Sequence, residues 1–479
     1  MMLKALIIAA DSVSPDIIYK NKELFPTFST LMNCGASAAY SAYVQKGYNG
    51  SYSSEQNWAS IYTGLTPNEH QITTMNVRGE KRRPVMSDFD NLQPFWRVLN
   101  EHGYKVGLWA ADNCASPVPI DGYSVSVKYT MIETPIENRE TPRFIHLCEK
   151  DQFIFKYLEG EPVPRIYPKT LAQQGYDFDE LKKDPKLAAE AISKYHFQDA
   201  LSNFEAELKY WSNAIKRVQI DHPVDVLYLF TPTPDVIAHC CMCCDDNPVL
   251  ISAYQMIDRT MGELIDEFDP EISVFLSDHG QQNFKDLISC SDKVVQREAF
   301  AARDEVIWLE NGYIAFGAHN GALLFTAHAL KGTFIAAGKG IHHSTISGMR
   351  TVDIYPTILE MLEIKVPQGR SGLVMDIFGK NVVNEEKLYN IDGLKRKSIG
   401  LLQTHSVSIT DIMINELYIE HRFTDITIIG EEKYKEIFRG NPRVTNFVPH
   451  ENVNLNDFDE VYCGVYDEIN KRIHHVKIF

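Results

Sequence analysis

The sequence predicts an α/β protein built on a doubly wound, mostly parallel β-sheet flanked by helices. Its first support is a set of short, continuous apolar runs, which are typical of strands buried on both faces of a parallel sheet. These runs are Leu3–Ala10, Val106–Ala110, Val224–Phe230, Ile272–Ser277 and Phe334–Ala337. The second support is helical periodicity between the runs, because strands that alternate with helices indicate this class of sheet.

Two helices are predicted from apolar residues at steps of three and four, and they span Leu250–Phe268 and Val352–Leu362. In doubly wound sheets, ligands bind at the carboxyl ends of the strands. Asp11, Asp235 and Asp278 follow three of the apolar runs. Three acids at equivalent strand ends predict a metal site at this edge of the sheet.

Two regions do not follow the alternation of strands and helices. Residues 116–220 are polar and rich in Pro, Glu and Lys, and we interpret them as an insertion that covers or flanks the site. Residues 381–479 contain strand-like runs at Ile426–Ile429 and Val461–Tyr466. We therefore predict a main domain over residues 1–380 and a small C-terminal α+β segment whose role the sequence does not indicate.

The composition excludes some classes of function. A formal net charge of −17 over 479 residues argues against a protein that coats nucleic acid or an anionic membrane, because both need clustered Lys and Arg. No apolar run approaches the roughly 20 residues that span a bilayer, and the N-terminal run is too short for a secretory signal. We expect a cytoplasmic protein whose nine cysteines are reduced thiols.

Two short motifs place acids and histidines near strand ends. Asp235 and His239 are separated by three residues, so one helical turn or a tight loop would bring both side chains to one face. Asp278 and His279 directly follow an apolar run, and Gly280 allows a sharp turn there. Each motif alone also occurs without a metal ion, and the second equally fits a hydrogen-bonded strand end.

Two further motifs make the pattern specific. One runs from Ser53 to Gly64 and is followed by Pro67 and His70, and the other runs from His328 through a glycine-rich strand to a helix. With these four motifs in order, the chain resembles the alkaline phosphatase superfamily, most closely its type I phosphodiesterase and nucleotide pyrophosphatase branch. The resemblance covers roughly residues 3–110 and 222–378.

The resemblance implies an alkaline phosphatase-like fold with two divalent metal ions, each held by its own set of ligands. The first ion would be held by Asp11, Ser54, Asp278 and His279, and the second by Asp235, His239 and His328. Ser54 would be the nucleophile, and Asn57 would help to bind the phosphoryl oxygen. Carboxylate and imidazole ligands without a thiolate suit zinc, with manganese or magnesium as substitutes.

Several alternatives stay open at this point. Ser53 is the rival of Ser54 as the nucleophile, and His319 is the rival of His328 as the last ligand, although the spacing favours Ser54 and His328. His70 matches a family position that looks structural rather than ligating. The run Cys240–Cys244 cannot easily supply four ligands to one ion, so we interpret it as packing beside the site.

The resemblance favours a two-metal phosphodiesterase or nucleotide pyrophosphatase that acts through a phosphoseryl intermediate. The first alternative is a phosphomonoesterase or phosphonate hydrolase on the same scaffold. The second is a binding or regulatory protein that has lost catalysis. We expect a small phosphorylated, nucleotide-like substrate as the partner, and neither duplex nucleic acid nor a membrane.

Overall fold

The computed structural model describes most of the chain. The described residues are 3–42, 54–73, 76–80, 84–111, 120–127, 143–149, 152–157, 175, 177–184, 186–187, 198–239, 247–283, 306–308, 314–317, 323–324, 326–329, 331–379, 397–402, 424–431, 444–467 and 472–477. The α-helices in these residues are α1 (Pro15–Lys20), α2 (Pro26–Cys34), α3 (Ser54–Thr63), α4 (Pro67–His70), α5 (Phe95–Glu101), α6 (Phe178–Lys183), α7 (Gln198–Asp221), α8 (Thr233–His239), α9 (Pro248–Phe268) and α10 (Ile354–Met361).

The strands are numbered in chain order. They are β1 (Ala5–Ala10), β2 (Ala36–Ser41), β3 (Ile72–Thr73), β4 (Asn76–Val77), β5 (Val106–Trp109), β6 (Gly122–Val127), β7 (Arg143–Glu149), β8 (Gln152–Tyr157), β9 (Val226–Thr231), β10 (Ile272–Leu276), β11 (Gly280–Asn283), β12 (Val306–Trp308), β13 (Ile314–Gly317), β14 (Leu323–Leu324), β15 (Thr326–Ala329), β16 (Lys331–Gly338), β17 (Ser344–Ile346), β18 (Lys397–Leu402), β19 (Thr424–Gly430), β20 (Val444–Pro449), β21 (Glu460–Asp467) and β22 (Arg472–Lys477).

The largest sheet has the strand order β17-β2-β16-β10-β1-β9-β5-β6-β7-β8. Its central strands, from β10 to β6, are parallel to one another. By contrast, β16 and β7 are antiparallel to both of their neighbours. The predicted fold class, a mostly parallel sheet flanked by helices, is confirmed.

The two faces of this sheet carry separate cores. Alternate side chains of β1 divide between them, with Ile7 in the first core and Ile8 in the second. Helices α3, α5 and α10 contribute to the first core, and helices α2, α7 and α9 contribute to the second. Burial of both faces explains why the central strands are continuous apolar runs in the sequence.

Part of the region predicted as an insertion builds the main sheet. Strand β6 pairs in parallel with β5, and β7 and β8 continue the sheet at this side. Helix α7 packs into the second core through residues such as Phe204 and Trp211. The described parts of 116–220 therefore extend the sheet and cover one of its faces, and the interpretation of the whole region as an insertion stays a prediction.

The C-terminal segment contains a second sheet, with the strand order β20-β19-β18-β21-β22. The predicted runs Ile426–Ile429 and Val461–Tyr466 lie within β19 and β21. In this order, each of the first four strands is parallel to its neighbours among them, and β22 is antiparallel to β21.

Among the described residues, no helix combines the length and the hydropathy that a membrane-spanning segment needs.

Candidate active site

Three predicted ligands converge because three neighbouring strands end at one edge of the sheet. Strand β1 lies between β9 and β10 and is parallel to both, so all three carboxyl ends meet there. Asp11 directly follows β1, and Asp278 lies two residues after β10. Asp235 lies in α8, which begins two residues after β9. The sheet thus brings together acids that are far apart in the chain.

Four of the predicted residues form what we call the Ser54 group, namely Asp11, Ser54, Asp278 and His279. The Ser54 hydroxyl lies 2.9 Å from His279 Nε2 and 3.4 Å from Asp11 Oδ1. His279 Nε2 in turn lies 3.1 Å from Asp278 Oδ2 and 3.5 Å from Asp11 Oδ1. One hydroxyl, two carboxylates and one imidazole therefore face a common point.

Helix α3 determines where Ser54 lies. Ser54 is the first residue of α3, and every residue from Gln56 to Thr63 is buried. Trp58 packs edge-on against Phe230 of β9, with 4.9 Å between the ring centres. This packing holds the N-terminus of α3 at the carboxyl edge of the sheet, where its backbone N–H groups favour a bound anion.

A close backbone approach determines where His279 lies. A Cβ atom on Gly280 would come within 2.8 Å of Ser14 Oγ and 2.9 Å of the Lys331 carbonyl oxygen. The position therefore needs glycine for space. Ser277, two residues before His279, donates its hydroxyl to the Val13 carbonyl at 2.8 Å, which ties the end of β10 to the chain that follows β1.

The other three predicted ligands form what we call the His328 group, namely Asp235, His239 and His328. Asp235 and His239 lie one turn apart in α8, with 3.3 Å between Asp235 Oδ1 and His239 Nε2. His328 lies in β15, and its Nε2 atom is 3.3 Å from Asp235 Oδ1 and 2.9 Å from His239 Nε2. The predicted helical turn therefore places both of its side chains on one face.

The two groups adjoin each other. The rings of His279 and His328 are stacked, with 3.9 Å between their centres. Potential ligand atoms of Asp235, His279 and His328 all lie within 4.8 Å of one another, as do those of Asp11, Asp278 and His279. His279 thus lies between the two sets of ligands.

Burial and neighbouring side chains shift the pKa values of the site residues. Burial lowers the pKa of His279 and of His239, which favours the neutral imidazole that binds metals. Burial also raises the pKa of Asp278. For Asp235, burial opposes ionisation, but the neighbouring His239 and His328 outweigh it and lower the pKa of this carboxyl.

The donor set fits divalent cations. Oδ2 of Asp278 is closed to solvent and accepts no hydrogen bond from the described residues. Asp11 and Asp278 are buried and Asp235 is half-buried, and carboxylates this close to one another repel unless a cation compensates their charge. The Nδ1 atom of His239 lies 2.9 Å from the Thr326 carbonyl, so this nitrogen carries the proton and Nε2 is left to bind an ion.

Two predicted residues lie outside the two groups. Asn57 is fully buried in α3, and its Oδ1 atom accepts a hydrogen bond from Thr351 Oγ1 at 3.3 Å. His70 is also buried, with 3.1 Å between its Nε2 atom and Ser60 Oγ, and its Nδ1 atom accepts from the Ile72 N–H. These contacts agree with the structural interpretation of His70.

Ser53, His319 and the Cys240–Cys244 run lie outside the described residues.

The site contains two side chains that the sequence did not indicate, Ser12 and Gln281. Gln281 follows His279 by two residues, and alternation along a strand would have placed both on one side. Ser12 is adjacent to a predicted ligand, but its sequence context carries no comparable signal.

The chain matches one protein family over most of its length and is distantly similar to several solved structures. The family described as type I phosphodiesterase / nucleotide pyrophosphatase matches residues 5–435, which extends past the boundary at residue 380. No curated protein matches the chain. Among solved structures, murine ectonucleotide pyrophosphatase/phosphodiesterase 5, inactive and in complex with AMP, is 14% identical, covers 77% of this chain and 97% of its own, and has a TM-score of 0.41.

Two other solved structures are similarly distant. The human ectonucleotide pyrophosphatase/phosphodiesterase 5 is 14% identical, covers 79% of this chain and 100% of its own, and has a TM-score of 0.42. A mutant of the alkaline phosphatase PafA is 13% identical, covers 79% of this chain and 99% of its own, and has a TM-score of 0.45. The family match spans most of the sequence and indicates phosphoester hydrolysis as the class of activity. The chain belongs to the type I phosphodiesterase/nucleotide pyrophosphatase family.

Proposed function

We propose that the protein is a two-metal phosphodiesterase or nucleotide pyrophosphatase that acts through a phosphoseryl intermediate on Ser54. One observation carries the proposal. The Ser54 hydroxyl lies at the N-terminus of α3, 2.9 Å from His279 and 3.4 Å from Asp11. A nucleophile at this position faces metal ligands on one side and helix N–H groups on the other.

The Ser54 group would hold one divalent ion, and the His328 group would hold the other. Bound there, divalent ions would lower the pKa of the Ser54 hydroxyl and offset the charge of the phosphate. Zinc suits the carboxylate and imidazole donors, and manganese or magnesium are the substitutes.

The reaction would proceed in two displacements at phosphorus. Ser54 Oγ would form a bond to phosphorus while the bond to the leaving oxygen breaks, and the hydroxyl proton would pass to water. A water oxygen would then bond to phosphorus while the bond from phosphorus to Ser54 Oγ breaks, and Ser54 Oγ would regain a proton from water. The N-terminus of α3 would stabilise the negative charge on the phosphoryl oxygens in both steps. The side chain of Asn57, one turn along α3, would orient the phosphoryl group.

The substrate that we propose is a small phosphodiester or pyrophosphate with a nucleotide-like leaving group. This rests on the family assignment, and on the net charge of −17, which is unfavourable for long polyanions. The same charge is compatible with a small anion if the bound ions compensate it locally. A cytoplasmic location rests on the sequence and stays a prediction.

A comparison of two chromogenic esters tests this function. The protein, loaded with zinc or with manganese, is assayed with bis-p-nitrophenyl phosphate and with p-nitrophenyl phosphate. We expect faster hydrolysis of the diester, measured as kcat/KM. A preference for the monoester would instead indicate a phosphomonoesterase on the same scaffold. No turnover of either ester or of a panel of nucleotides would contradict an enzymatic function.

A further inference from the structure

Ser12, the residue after Asp11, has a backbone conformation that serine rarely adopts. Its φ angle is 64°, in the left-handed region where glycine is favoured, and the residue is fully buried. Hydrogen bonds to the N–H and to the carbonyl of Ser12 stabilise this backbone conformation. The Ser12 N–H donates to Asp278 Oδ1 at 3.3 Å, and its carbonyl accepts from Tyr254 Oη at 3.1 Å.

The Ser12 hydroxyl connects one ligand from each group. It lies 2.6 Å from Asp235 Oδ1 and 3.0 Å from His279 Nδ1. His279 Nδ1 also lies 3.1 Å from the Gly280 carbonyl, which can only accept, so this nitrogen carries the proton. The Ser12 hydroxyl therefore accepts from His279 and donates its own proton to Asp235.

Gln281 completes the contacts of this hydroxyl. Its side-chain Nε2 donates to Ser12 Oγ at 2.9 Å and to Asp235 Oδ1 at 2.8 Å. A serine hydroxyl has one proton to donate and two lone pairs that accept. His279, Gln281 and Asp235 together use all three, so the direction of each hydrogen bond around Ser12 is determined.

We propose that Ser12 is a positioning residue that joins the two ligand groups and, with Gln281, orients His279 and Asp235 for metal binding. The proposal rests on the two-metal site described above. Donation from His279 Nδ1 to Ser12 leaves His279 Nε2 to bind an ion in the Ser54 group. Donation from Ser12 and Gln281 to Asp235 fixes the rotation of that carboxylate in the His328 group.

A purely backbone role for Ser12 makes a different prediction. If only the left-handed turn mattered, glycine would serve at least as well, because it adopts this conformation without a steric cost. Serine is useful at this position only if its hydroxyl contributes something that glycine lacks. The variants Ser12→Gly and Ser12→Ala separate the two roles, since both remove the hydroxyl and only glycine relieves the backbone.

Zinc titration of the metal-free full-length protein tests the proposal, with calorimetry as the readout. We expect two zinc ions per chain in the unmodified protein. Loss of a side chain that orients metal ligands typically weakens metal affinity by about 10- to 100-fold. We therefore expect Ser12→Gly and Ser12→Ala to weaken both ions to this extent. Gln281→Met, which leaves the turn unchanged, should mainly weaken the ion of the His328 group.

Glu363→Gly is the matched control. Glu363 also has a positive φ angle, 58°, but it is exposed and follows α10, outside both ligand groups. The Glu363→Gly variant should bind two zinc ions with the same affinities as the unmodified protein. Far-UV circular dichroism of each metal-free variant verifies folding. If the Ser12 variants do not fold, Gln281→Met still tests the proposal, because it removes the hydrogen bond from Gln281 to Asp235.

Two results would overturn the proposal in distinguishable ways. Unchanged affinity for both ions in Ser12→Gly would exclude a role for the hydroxyl and leave the two-metal site intact. Failure of the unmodified protein to bind zinc or manganese would contradict the two-metal function itself.

Discussion

The Nε2 atoms of His239 and His328 lie 2.9 Å apart, although the two residues are 89 positions apart in the chain. Two neutral imidazole nitrogens at this distance direct lone pairs toward each other, which is unfavourable unless a proton or a cation lies between them. The pair also contacts Asp235, whose carboxylate lies 3.3 Å from both histidines. This relationship motivates the first prediction.

His328→Gln should lower zinc binding from two ions to one per chain, because it removes an imidazole ligand from the His328 group only. Elemental analysis after dialysis against micromolar zinc would measure the ratio. His343→Gln is the matched control, since His343 is exposed and its Nδ1 atom lies 3.0 Å from the Met32 carbonyl, away from the site. A ratio of two in His328→Gln would contradict the assignment of this ligand.

Ser54→Ala should abolish turnover while metal ions still bind. Removing a serine nucleophile lowers kcat by on the order of 1000-fold or more, whereas the carboxylates and the imidazole of the Ser54 group remain. Steady-state assays with bis-p-nitrophenyl phosphate would measure the rate, and zinc titration would measure metal binding. Retained activity would show that Ser54 is not the nucleophile and would favour Ser53 in that role.

Gly280→Ala should destabilise the protein and disturb metal binding together. The added methyl group would overlap Ser14 Oγ and the Lys331 carbonyl oxygen, and the backbone beside His279 would have to move. Overpacking of this kind costs about 1–3 kcal/mol. Urea denaturation of the metal-free protein would measure the loss of stability. Unfolding at the same urea concentration as the unmodified protein would show that the site tolerates the methyl group.

His70 should make the protein sensitive to acid. Burial lowers the pKa of His70 to about 3 from an ordinary value of 6.5, so the unfolded chain binds a proton that the folded chain excludes in this pH window. The stability contributed by neutral His70 is therefore complete above pH 6.5 and is lost as the pH falls toward 3. The loss is about 1.4 kcal/mol per pH unit, or roughly 2 kcal/mol between pH 7 and pH 5.

The variant His70→Asn tests this dependence, because an asparagine can accept from the Ile72 N–H but does not titrate. We expect lower stability than the unmodified protein at pH 7, from lost packing, and a smaller decrease between pH 7 and pH 5. Urea denaturation at both pH values gives the two differences. His450→Asn, which changes an exposed histidine, controls for the general loss of one imidazole. Equal decreases in all three proteins would argue against the prediction.

The sequence alone determined the fold class and five strands of the main sheet, because strands buried on both faces must be apolar throughout. The runs Val106–Ala110 and Ile272–Ser277 nearly coincide with β5 and β10. The predicted helix Leu250–Phe268 agrees closely with α9, since its apolar stripe must face the core. Strand β2, Ala36–Ser41, was not predicted, because its small and polar residues have no clear alternation or apolar run.

Only the tertiary structure decided how the candidate site is assembled. Spacing along the chain placed Asp235 and His239 one turn apart, but their distance to His328 depends on the pairing of β15 with β11. Likewise, the contacts of Ser12 with Asp235 and His279 span more than 200 residues of chain. Local sequence patterns report on periodicity and turns, whereas such contacts arise from the order in which strands lie beside one another in the sheet.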